Sequence, residues 1–81
     1  MKIFYDYDLN KILTEEEAIK SVKKEILDDD DYALWEFITD NYRYNEIMKN
    51  LSQDFLENII KKIIEKRLND EELFLIREIP N

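Results

Sequence analysis

Between Ser52 and Asn69 the apolar residues are Phe55, Leu56, Ile59, Ile60, Ile63, Ile64 and Leu68. Pairs recurring every four residues form one broad stripe on an α-helix, and no strand could hold them on a single face. Such a stripe is stable only when other elements cover it, so the rest of the chain must supply them. Ser52 suits the N-cap, Asn69 and Asp70 can end the helix, and Glu57 and Lys61 have the spacing of a supporting ion pair.

Thr14-Glu15-Glu16-Glu17 has the form of a capping box, with Leu13 and Ala18 placed as its hydrophobic staple. A first helix therefore runs from about Glu15 to about Leu27, burying Ala18, Ile19, Val22 and Ile26 and leaving Lys20, Lys23 and Lys24 in water. The run Asp28 to Asp31 opposes the negative end of that helix and favours the positive start of another, so it marks a junction. Asp31 or Asp30 is the expected N-cap of a second helix that turns Leu34, Trp35, Ile38 and Tyr42 inward and ends near Thr39 to Asn41. Tyr42 to Asn45 reads as irregular or restarting, and a short helical piece spans Glu46 to Leu51.

The ends of the chain change period. Ile3, Tyr5 and Tyr7 alternate with Phe4, Asp6 and Asp8, which predicts a strand with one buried face. Lys11 to Leu13 returns beside it after a turn at Asp8-Leu9-Asn10. Leu73 to Ile79 reads as a strand halted by Pro80, with extension of the preceding helix through Glu71 to Ile79 as the alternative. The fold class is α+β: a short antiparallel sheet from an N-terminal hairpin and a C-terminal strand, covered by three to four helices. A chain of 81 residues holds one core, so residues 1–81 form a single compact domain. There is no glycine, and Asn10, Asn41, Asn45, Asn50 and Asn69 are the candidates for backbone positions of positive φ.

Catalysis finds little equipment. The chain has no His and no Cys, and its two serines, Ser21 and Ser52, have structural readings, so no enzyme and no cofactor are expected. The absence of Cys is compatible with a reducing cytoplasm; an acidic N-terminal segment is unlike a secretory signal, and no apolar run reaches the ~18 residues of a membrane span. The expected location is the cytoplasm. Twenty Asp and Glu against 12 Lys and Arg give a net charge of -8, which disfavours direct contact with nucleic acid or anionic lipid and favours a basic partner.

Two groups of residues could carry binding. Asp6, Asp8, Asn10, Thr14 and Glu17 fall at positions 1, 3, 5, 9 and 12 of a calcium-binding EF-hand loop, but Lys11 occupies its turn-glycine position. A hairpin followed by a capping box uses the same residues without metal, and is the preferred reading. The second group is acidic: Glu25, Asp28, Asp29, Asp30, Asp31, Glu36 and Asp40, with Tyr32, Phe37, Tyr42 and Tyr44 nearby as apolar anchors and Trp35 read as core. Carboxylates along a helix start can occupy a basic groove made for phosphates, and a solvated charged loop is the competing reading. Lys61, Lys62, Lys66 and Arg67 put a cationic strip on the longest helix and confine any such mimicry to one face.

The opening, Lys2-Ile3-Phe4-Tyr5-Asp6-Tyr7-Asp8 through Leu13-Thr14-Glu15-Glu16-Glu17-Ala18, resembles the start of many short phage and prophage proteins. With its small size, its acidity and its wealth of Ile, Lys, Asn and Glu, the chain is similar to anti-CRISPR proteins as a class. That resemblance implies a phage-encoded inhibitor that binds a basic nucleic-acid-binding surface of a host CRISPR effector and blocks nucleic-acid binding or cleavage. It carries no functional residue across, because the class shares no motif. The alternative is a protein–protein interaction or homodimerisation module using the Phe55–Leu68 helix, and a weaker one is a calcium-binding loop at Asp6–Glu17.

Overall fold

The computed structural model describes residues 1–29 and 32–80. Asp30, Asp31 and Asn81 lie outside the described residues, and with Asp30 and Asp31 goes the expected N-cap of the second helix. In chain order the elements are β1 (Lys2–Asp6), β2 (Lys11–Thr14), α1 (Glu15–Asp28), α2 (Tyr32–Asn41), α3 (Tyr44–Asn50), α4 (Gln53–Leu68) and β3 (Phe74–Glu78). The fold is α+β, with β1 at the centre of an antiparallel sheet ordered β2-β1-β3. Residues 74–78 are strand, which settles the choice left open for the C-terminal segment.

Register sorts the strand residues onto two faces. Phe4 lies opposite Leu13 and Ile76, and Asp6 opposite Phe74, so these side chains point the same way. Phe4, Leu13 and Phe74 belong to the core, so this is the face that α1 covers. The Phe4 and Phe74 rings meet edge to face at 5.9 Å. The buried face of β1 is thus that of Phe4 and Asp6, while Ile3, Tyr5 and Tyr7 form the other.

The starts of α1 and α4 and the ends of α2, α3 and α4 have local causes. Thr14 Oγ1 accepts from the Glu17 amide and Glu17 Oε1 accepts from the Thr14 amide, both at 3.2 Å, closing the capping box. Ser52 Oγ accepts from the Phe55 amide at 3.2 Å and starts α4. Asn41, Asn50 and Asn69 each donate their Nδ2 to the carbonyl four residues back, at 2.9, 2.9 and 2.8 Å. Each amide thus adds a side-chain donor to the last turn of α2, α3 or α4. Among the described residues only Asn10 has positive φ, at 52°, so the expected role for Asn41, Asn45, Asn50 and Asn69 is corrected.

α4 packs on α1 and on α2. Ile59, Ile63, Ile64 and Leu68 are buried, and Phe55, Leu56 and Ile60 are partly buried against the same core. Three expectations fail here. Ile19 is exposed rather than buried, because on the α1 wheel it lies well off the Ala18–Val22–Ile26 line. Trp35 is exposed rather than core, because α2 packs through Leu34 and Ile38 and Trp35 lies ~100° round the helix from Leu34. The Glu57–Lys61 pair does not close; the described ion pairs are Met1–Glu78 and Glu25–Arg67, and Glu57 instead accepts from Gln53 Nε2 at 3.4 Å. The molecule is elongated, 46 × 24 × 19 Å, with a radius of gyration of 14.5 Å against the ~12 Å of a compact chain of this length.

Candidate functional site

The acidic group divides around a cation. Glu25, Asp28 and Asp29, from the last two turns of α1 and its C-cap, line a shallow depression together with Arg67 of α4. Glu36 and Asp40, one turn apart on α2, line a second depression with Lys66, Arg67 and Asp70. Arg67 therefore stands between the two carboxylate groups. Its Nη1 approaches Glu25 Oε2 at 3.7 Å, and its side chain is partly buried while that of Glu25 is exposed. The arginine limits the mutual repulsion that crowding these acids would otherwise cost.

Arg67 was expected only as part of a cationic strip. A signal for its position was present: Ile59, Ile63 and Arg67 are spaced four apart, which places the arginine stem on the apolar stripe with its guanidinium carried to the rim. Lys61 lies elsewhere, beside Ile19, Lys23, Asp54 and Glu57 in an open groove of about 620 Å³ between α1 and α4. The strip is therefore split between two sides of α4.

The aromatic anchors also separate. Tyr32 and Trp35 are 67% and 44% exposed, three residues apart on α2, and Glu36 stands one turn from Tyr32 on the same outward face. The Tyr32 amide donates to the Asp29 carbonyl at 2.8 Å, which ties this face directly to the end of α1. Tyr42 turns the other way: its ring packs edge to face on Phe55 at 5.5 Å and its hydroxyl accepts from Lys62 Nζ at 3.0 Å. Phe37 is partly buried against the core. Tyr44, exposed, opens α3 beyond the far end of α2, a helix ~15 Å long. Neither Tyr42 nor Tyr44 joins the acidic junction, and Asp30 and Asp31 lie outside the described residues.

The hairpin holds the other candidate group. Asp6 is only 6% exposed, and its Oδ1 accepts from the Asp8 amide at 2.9 Å and the Leu9 amide at 3.1 Å. An Asp side chain that closes the turn in this way substitutes for a backbone acceptor. Asn10 takes the left-handed position and its Oδ1 accepts from the Tyr5 hydroxyl at 2.9 Å. Thr14 and Glu17 belong to the α1 cap. The residues with EF-hand spacing are thus distributed between a turn and a helix start. Among the described residues no three acids come together as a metal-binding group.

The carboxylates at the junction are exposed side chains around an open depression, where water screens them and no apolar wall desolvates a reacting group. No helix among the described residues is long and apolar enough to cross a membrane. No family model, no curated protein and no solved structure matches this chain.

Proposed function

We propose that this chain is a non-catalytic binding domain whose α1–α2 junction engages a basic, nucleic-acid-binding surface of another protein. The observation that carries the reading is the exposure of Trp35 beside Tyr32 and Glu36, directly after the carboxylates that end α1. Tryptophan and tyrosine are enriched at the hot spots of protein interfaces. Carboxylates give such a contact long-range attraction to a cationic groove, and the rings give it the desolvated area that charge alone lacks. A CRISPR effector of a host cell is the narrower partner implied by the resemblance of the sequence to anti-CRISPR proteins, and inhibition would follow from competition with DNA or RNA.

The competing use of α4 as a docking helix finds less support, since its apolar stripe is largely occupied by α1 and α2. A panel of purified effector nucleases, CRISPR complexes included, tests the proposal by pull-down at two salt concentrations followed by a cleavage assay. Salt-sensitive capture and inhibition are expected, both lost in Trp35→Ala and in the combined Asp28→Asn, Asp29→Asn, Asp30→Asn and Asp31→Asn variant. Capture that survives the aspartate changes would refute the acidic-face mechanism even where inhibition is real.

A further inference from the structure

α3 is the helix least supported by the rest of the molecule. From Arg43 to Asp54 every residue except Ile47 is exposed, a stretch that takes in the whole of α3 and the first residues of α4. None of the seven residues of α3 is buried, and Ile47 alone packs, only partly, against the core. Among the described residues α3 forms no extended contact with another element, whereas α2 and α4, which it connects, pack directly on each other. Its hydrogen bonds stay within the segment: the Ile47 amide donates to the Arg43 carbonyl at 3.0 Å, the Arg43 amide to Glu46 Oε1 at 3.4 Å, and Asn50 Nδ2 to the Glu46 carbonyl at 2.9 Å.

The neighbours of α3 do not depend on it. α2 ends on the Asn41 side-chain amide and on the Tyr42 amide, which donates to the Ile38 carbonyl at 2.9 Å. Tyr42 is then pinned to α4, its ring on Phe55 at 5.5 Å and its hydroxyl on Lys62 Nζ at 3.0 Å. α4 starts on its own cap, Ser52. The chain is therefore fixed on both sides of α3 by contacts in which α3 takes no part. We propose that residues 43–51 are a strap that unfolds and refolds as a unit of its own, while the sheet, α1, α2 and α4 stay folded.

An isolated helix shorter than ~12 residues is marginal in water, and tertiary packing normally supplies what its own bonds do not. Here that packing is one half-buried isoleucine. Few buried apolar contacts and solvent-exposed backbone bonds are the conditions for a local opening that costs far less than global unfolding. Opening uncovers little beyond Ile47 and returns backbone entropy to the segment. Tyr44, Met48 and Leu51 are exposed already, at or beyond the end of α2 remote from the acidic junction, so opening changes their spacing and leaves the junction as it is. A chain cut within the strap should also hold together, because β1 pairs with β3 and α1 and α2 pack on α4 across the cut.

Amide hydrogen exchange followed residue by residue by NMR, in water and in urea below the unfolding transition, tests the proposal. The amides of Ile47, Met48, Lys49 and Asn50 should exchange roughly a hundredfold or more faster than those of Ile59 and Ile63, at rates that low urea does not change. Met48→Pro removes α3, since proline withdraws an amide and clashes with the preceding turn, and should leave the urea midpoint of the body as in wild type. Trypsin should cut first after Arg43 or Lys49, with the two pieces remaining together under native conditions. Exchange of the α3 amides at the rate and with the urea dependence of α4 overturns the proposal. So does a Met48→Pro variant whose body loses stability, or a first cut inside α1 or α4.

Discussion

Asp6→Ala is the most informative single change in the hairpin. The wild-type carboxylate satisfies two amides, those of Asp8 and Leu9, from a nearly buried position on the helix-facing side of the sheet. Both residues that donate are themselves exposed, so water can reach their amides once the carboxylate is gone. The loss is therefore near ~1 kcal/mol for each bond rather than the larger cost of a sealed donor, or ~2 kcal/mol together. Against a total of about 4–12 kcal/mol for a domain of this length, that is a substantial fraction. It corresponds to a fall of roughly 10–15 °C in Tm, read by circular dichroism.

Asp6→Asn separates the reasons for this effect. The amide keeps an oxygen acceptor where the turn needs one and loses only the charge, so the cost should stay under ~1 kcal/mol. A metal ligand would behave differently, since the carbonyl of Asn is a poorer calcium donor than a carboxylate. Wild-type Tm is accordingly expected to be the same in millimolar calcium and in chelator. If Asp6→Asn is as damaging as Asp6→Ala, or calcium raises the wild-type Tm by several degrees, the turn-closing account is wrong and negative charge at this position is what the hairpin requires.

Four further outcomes are expected. Asn10→Ala should lose ~1–2 kcal/mol from the left-handed backbone alone, whereas Asn10→Gly should recover most of it and lose only the bond to Tyr5; urea melts of the pair decide this. Thr14→Ala should cost ~1 kcal/mol by opening the cap of α1, measurable as a drop in urea midpoint with unchanged slope. Ile59→Ala and Ile38→Ala should each cost ~2–5 kcal/mol because both side chains are fully enclosed, while Glu25→Gln should stay within ~0.5 kcal/mol because Arg67 lies 3.7 Å away and the Glu25 side chain is exposed.

Features set by interactions over three or four residues were legible in the sequence. The Thr14–Glu17 box, the Ser52 cap and the limits of α4 all depend on side chains reaching nearby backbone, and composition at those positions announces them. Features set by what packs on what were less legible. Periodicity locates the apolar line of α2 but not its width, and Trp35 fell outside the strip that Leu34 and Ile38 bury against its neighbours. Ile19 failed for the same reason on α1. Glycine-free helix ends were expected to use left-handed asparagines; α2, α3 and α4 instead end on an asparagine amide that donates to the carbonyl four residues back, a side-chain solution that no backbone propensity foretells. Of the acidic group, sequence adjacency placed Glu25, Asp28 and Asp29 together, but only the tertiary fold inserts Arg67 between them and Glu36.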